Sequence, residues 1–178
     1  VQFSPDNVVM TPGAKPIMFF IILALIQKGD EVIYPNPGFP IYESMINFVG
    51  GTPVAMPLKQ ENNFNVDIDE FKKLVTSKTK LVIINSPGNP TGKCIPKADM
   101  EKMAEVLKDK DCFILSDEIY SRIVYDGAES YSITKIDGFK DRTIILDGFS
   151  KTYAMTGWRA GYGVMNTELA PVITKLMV

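Results

Sequence analysis

The sequence contains no histidine. That absence excludes Ser-His-Asp and Cys-His nucleophilic catalysis, and any metal site built on imidazole. Cysteine is scarce too: Cys94 and Cys112 lie far apart and form no CxxC. They read as free thiols of a reducing, cytoplasmic compartment, with structural roles. Lys and Arg form no polybasic stripe and the net charge is −2, so no nucleic-acid partner is expected. Long apolar runs are missing as well. The candidate "IMFFIILALI" (17–26) has ten residues, half of the ~20 that a membrane span needs. The "QKGDEV" that follows offers no small-residue cleavage site for a signal peptide. The run reads as a buried helix within 14–28, with Gly29 as its C′ residue. Any catalysis falls to Lys, Asp, Glu, Tyr or a cofactor.

What is present suits one globular domain over residues 1–178. Apolar residues make up 46% of the 178 and charged residues 22%, enough for a sizeable core. No internal repeat, low-complexity tract or linker interrupts it. Val1 opens without a methionine, and a helix beginning near Asn166 still runs at Val178. The expectation is a portion of a longer chain.

Short apolar runs alternate with amphipathic stretches. "EVIYP" (31–35) reads as a strand. Ile41, Tyr42, Met45, Ile46 and Val49 mark a helix face. "TPVAMPL" (52–58) is a strand that Pro53 and Pro57 push toward a sheet edge. Ile68, Phe71, Leu74 and Val75 give another helical stripe, as do Met100, Met103, Ala104 and Leu107 after Pro96. "KLVIINSP" (80–87), "CFILSDEIY" (112–120) and "TIILDGFSK" (143–151) are each an apolar strand with a polar end, and "AGYGVM" (160–165) is a further strand. Strands that are apolar throughout and separated by amphipathic helices predict a three-layer α/β/α fold around a mainly parallel sheet. Ligands of such sheets bind beyond the carboxyl ends of the strands.

Three segments lie where that rule puts chemistry, and a fourth precedes a helix. In "DGFSKTYAMTGWRAGYG" (147–163), Lys151 is either a surface loop lysine or a desolvated nucleophilic amine. Asp117 in "SDEIY" is either a turn residue or a buried carboxylate facing a protonated ring nitrogen. "NSPGNPTG" (85–92) is either a tight loop or a platform presenting the Asn89 amide. "TPGAKP" (11–16) puts a glycine before a helix that begins near Pro16, where backbone N–H groups form a phosphate site; many helices begin so.

Together, "NSPGNPTG", "SDEIY" and "FSKTYAMTGWRAGY", in this order, resemble the aspartate-aminotransferase-like family (class I/II, fold type I) of pyridoxal-phosphate (PLP) enzymes. The resemblance runs over nearly the whole chain and implies its PLP-binding large domain, without the N-terminal arm and small domain. It implies that Lys151 forms the Schiff base with PLP and moves the substrate proton. Asp117 would pair with the pyridine nitrogen, and Tyr120 and Asn89 would hydrogen-bond the phenolic O3′. Phe39 would stack on the ring. Gly13, Ala14 and Lys15 would bind the phosphate through backbone N–H groups, and Arg159 would pair with it. Many relatives carry a hydroxyl residue three positions before the lysine; here it is Gly148, and Ser150 is the substitute.

The function so implied is exchange of an amino group between an amino acid and a 2-oxo acid, in a cytoplasmic homodimer with neither a metal nor a membrane partner. The same scaffold also supports carbon–sulfur β-lyases and aminocyclopropane-carboxylate synthases. A non-catalytic PLP-binding domain is a third reading, and an α/β domain without PLP a fourth. The arginine that grips the substrate α-carboxylate in the family lies beyond Val178.

Overall fold

The computed structural model describes residues 1–177. Seven strands form one sheet: β1 (Val8–Pro12), β2 (Glu31–Asn36), β3 (Thr52–Pro57), β4 (Thr79–Asn85), β5 (Phe113–Asp117), β6 (Thr143–Gly148) and β7 (Ala160–Val164). Five α-helices accompany them: α1 (Lys15–Leu25), α2 (Ile41–Phe48), α3 (Ile68–Leu74), α4 (Lys97–Leu107) and α5 (Leu169–Leu176). Val178, where the last helix is expected to continue, lies outside the described residues.

The strand order is β1-β7-β6-β5-β4-β2-β3. β3, β2, β4, β5 and β6 pair in parallel, whereas β7 is antiparallel to both β6 and β1. The sheet is therefore mainly parallel, as predicted, with one reversed strand. β3 lies on its edge, where Pro53 and Pro57 deprive no outer neighbour of a donor.

The all-apolar strands are explained by burial on both faces. Along β4, Leu81 and Ile83 enter one core with α1, α2 and α5, while Val82 and Ile84 enter a second core with α3 and α4. This is period-two alternation between two dry faces. All four are at most 1% exposed, worth about 1.5–3 kcal/mol each. The stripe after Pro96 is buried as predicted: Met100, Met103, Ala104 and Leu107 all face the second core.

Two local expectations need correction. The first helix stops at Leu25, and Ile26 is already extended (ψ 131°) though buried. Gly29 is consequently not its C′ residue. Its φ of +97° serves a separate turn, in which Asp30 N–H donates to Gln27 O (3.1 Å) and Gln27 N–H to Asp30 Oδ2 (2.8 Å). Strand β1 is not predicted at all. It exists because its backbone pairs with β7 from Val8↔Val164 to Pro12↔Ala160, although Val8 and Met10 on its outer face stay exposed. Among the described residues, no helix is long and apolar enough to cross a membrane.

Candidate active site

The carboxyl ends of β1, β2, β4, β5 and β6 lie along one rim of the sheet. The segments that follow them surround a cleft of about 290 Å³. Its lining includes Ala14, Lys15, Phe39, Asn89, Asp117, Tyr120, Ser150, Lys151 and Arg159. Of the candidate site residues, only Gly13 is not on the wall; it lies buried behind Arg159.

Asp117 ends β5 and is 5% exposed. Its Oδ2 accepts from the Tyr42 hydroxyl at 2.7 Å, and its Oδ1 from Ile119 N–H at 3.3 Å. Burial pushes its carboxyl up from 3.8 to about 6, against the pull of those two donors. Tyr42 is fully buried, and burial followed by the nearby Asp117 charge raises its hydroxyl well above the ordinary value. Sequence reasoning treats Tyr42 only as a core-facing residue of α2. Its position three residues after Phe39 is the available signal, since Phe39 stands just before that helix and Tyr42 in its first turn. Phe39 packs edge-on against Tyr42, centroids 5.9 Å apart.

Asn85, at the end of β4, braces the neighbouring loop. Its amide donates to Asp117 O (3.1 Å) and its Oδ1 accepts from Asn89 N–H (2.7 Å). The Asn89 platform is thus tied to the strand that carries Asp117.

Lys151 sits in the turn after β6, with Nζ 5.9 Å from the centre of the Tyr120 ring. It is exposed, so the desolvation predicted for a nucleophilic amine is not supplied by these residues. The turn is strained nearby: Ala154 (φ 53°) and Arg159 (φ 49°) are non-glycine residues in the left-handed region, each at about 1–2 kcal/mol.

The other end of the cleft is an anion cradle. Helix α1 has no side-chain cap on its first turn, and Ala14 and Lys15 line the cleft there; the open N–H groups and the helix dipole favour negative charge. Arg159 is held over this end by Nη1 to Thr156 O (3.0 Å) and Nη2 to Pro12 O (3.4 Å). Two glycines make the approach possible. A Cβ on Gly13, whose φ is +87°, would stand 2.3 Å from Arg159 Nη2, and one on Gly161 would stand 2.3 Å from Ala14 N. Gly148 is confined less severely: its Cβ would lie 3.0 Å from Gly161 Cα and 3.1 Å from Ala160 O. A hydroxyl side chain there would push the β7 backbone back by a few tenths of an ångström. Ser150 reaches the cleft, and so does Thr156, which the sequence does not single out.

Lys15, Lys151 and Arg159 put three cations around one buried acid. Fold and cleft therefore define an α/β domain suited to a small anionic molecule held against a lysine. Residues 1–177 match the model of the family "Aminotransferase class I and II", and the chain belongs to that family. It is 41% identical over 177 residues to the probable aspartate/prephenate aminotransferase of Aquifex aeolicus, covering 99% of this chain and 45% of that one. It is 42% identical over 163 residues to an aspartate aminotransferase of Pyrococcus abyssi, covering 91% and 42%. Among solved structures, the aspartate aminotransferase of Rhizobium meliloti superposes with a TM-score of 0.94 at 33% identity, covering 99% of this chain and 44% of that one. The chain thus spans a little under half the length of the relatives it matches.

Proposed function

We propose that this chain is the PLP-binding large domain of an aminotransferase that exchanges an amino group between an amino acid and a 2-oxo acid. The observation that carries the reading is the meeting, in one cleft, of Lys151, the buried Asp117 and an anion cradle built from Arg159 and the α1 N-terminus. The names of the relatives, aspartate and aspartate/prephenate aminotransferases, support it.

The donor set fits PLP. The cradle suits a phosphate, since Arg159 offers a planar fork and α1 offers open N–H groups. Asp117 suits a protonated ring nitrogen: a buried acid pushed to about 6 ionises once a cation faces it. When bound, PLP supplies the electron sink that acidifies a substrate Cα–H. Lys151 would hold the cofactor at its aldehyde carbon, and its amine would take and return the substrate Cα proton. Tyr42 holds the Asp117 carboxylate in position. Phe39 offers an apolar face, and Asn89 and Tyr120 offer an amide and a hydroxyl to the phenolic oxygen. A homodimer in the cytoplasm completes the reading.

The test is a single-turnover assay on the PLP-loaded protein. Mixing with an amino acid yields about one equivalent of 2-oxo acid per site, and Lys151→Ala yields none. Equal yields from both proteins would overturn the assignment of the lysine. Release of pyruvate from a cysteine conjugate, independent of 2-oxo acid, would move the reading to a β-lyase.

A further inference from the structure

The loops that carry Tyr120 and Lys151 meet twice. Inside the cleft, Lys151 Nζ lies 5.9 Å from the Tyr120 ring centre. Two residues further along each loop, Arg122 Nη1 donates to the Tyr153 hydroxyl at 2.6 Å, and the guanidinium carbon lies 5.9 Å from the Tyr153 ring centre. Among the described residues, this is the one side-chain hydrogen bond that joins the two loops.

Each loop is otherwise closed mainly on itself. Ser121 N–H donates to Glu118 O and Ile123 N–H to Tyr120 O, both at 2.8 Å, in the first loop. In the second, Tyr153 N–H donates to Phe149 O and Ala154 N–H to Lys151 O, both at 3.2 Å. The Tyr153 ring is anchored from behind. It packs on Phe149 (5.7 Å), which packs on Tyr162 (5.9 Å), whose hydroxyl donates to Asp147 at 2.9 Å. Arg122 therefore grips a side chain that is rooted in β6 and β7.

We propose that Arg122 is a positioning residue, which through Tyr153 sets the separation of Tyr120 from Lys151. The proposal rests on the reading of Lys151 as the cofactor lysine. Arg122 and Tyr153 are both exposed, so the contact adds little to global stability. It acts by joining the two loops beyond their anchored bases, where Glu118 N–H donates to Leu146 O and Phe149 N–H to Ala160 O.

The first readout needs no cofactor. In amide hydrogen exchange, Arg122→Ala and Tyr153→Phe each speed exchange in both segments, 119–124 and 149–155, by about threefold to tenfold, the range of one modest hydrogen bond. The double variant is no faster than the faster single one, because the hydrogen bond lost with the Tyr153 hydroxyl is already lost with the Arg122 guanidinium. The second readout is the pH midpoint of the absorbance of the lysine-bound cofactor. It moves by roughly 0.3–1 unit, in the same direction in both variants; a purely structural role would leave it in place. Faster exchange confined to the 119–124 segment, or additive effects of the two substitutions, would overturn the proposal. If the unsubstituted protein takes no cofactor label on Lys151, the functional reading fails, and the exchange pattern still decides whether the strap exists.

Discussion

Asp117 should make the cofactor-free protein less stable as pH rises. Burial lifts its folded value from 3.8 to about 6, so the folded state prefers the protonated acid. Well below pH 3.8 both folded and unfolded chains are protonated, and the residue costs nothing. The cost grows between pH 3.8 and about 6 and levels off above that. A shift of about two units corresponds to about 3 kcal/mol when fully developed. About 1 kcal/mol of that is already present at pH 4.5, which leaves about 2 kcal/mol to be lost between pH 4.5 and 7.5. Asp117→Asn removes the titration but keeps one acceptor. Its amide can serve only one of the two donors, Tyr42 and Ile119 N–H, at a pH-independent cost of about 1 kcal/mol. Urea unfolding of both proteins without PLP, at the two pH values, isolates the titration. The stability of the parent relative to the variant falls by about 2 kcal/mol on going to pH 7.5. With saturating PLP the parent recovers that loss and the variant does not. Parallel pH dependence in the two proteins would refute the reasoning.

Other outcomes follow from the same geometry. Tyr42→Phe leaves Asp117 with only the 3.3 Å contact to Ile119 N–H; it costs about 1–3 kcal/mol in denaturant unfolding and moves the midpoint of the pH dependence above 6. Gly161→Ala drives a Cβ to 2.3 Å from the backbone at Gly13 and Ala14, which lowers stability by about 3 kcal/mol in the same assay. Arg159→Lys loses the planar fork, so PLP affinity falls about tenfold while affinity for pyridoxal, which lacks the phosphate, is unchanged in fluorescence titrations. Gly13→Ala has the same selective effect, because its Cβ meets the flexible end of Arg159, and adds about 1 kcal/mol of backbone strain.

Much of the fold is legible in the sequence because burial writes a pattern. A strand covered on both faces must be apolar wherever it is covered, and residues 81–84 of β4 all are. A helix covered on one face must repeat at three and four residues, and α4 does so with the residues predicted. β1 is illegible for the complementary reason. Its burial alternates, with Val9 and Thr11 inside, but Val8 and Met10 are apolar yet exposed, so no alternation of hydropathy marks it, and only pairing with β7 makes it a strand. The reversed direction of β7 is likewise a tertiary fact without a local signal. The end of α1 is hidden inside an apolar run because Ile26 stays in the core after the helix has stopped.

The candidate site divides in the same way. Lys151, Asp117, Asn89 and Arg159 stand in turn-rich segments at strand ends, where polar residues have no packing reason to be. Tyr42 lies on the buried face of α2 and looks like any core aromatic. Its hydroxyl acquires a task only when the fold brings β5 beside it and places the Asp117 carboxylate 2.7 Å away. The room around Gly148 is also unreadable from the chain, since the atoms that confine it belong to β7.

The central claim is that Lys151 bonds the cofactor. It is tested most directly by adding PLP to the protein, reducing with borohydride, and identifying the modified peptide by mass spectrometry. The expected result is a single phosphopyridoxyl group on Lys151, blocked by Lys151→Ala. A label on Lys15, the other lysine in the cleft, or no label at all, would contradict it.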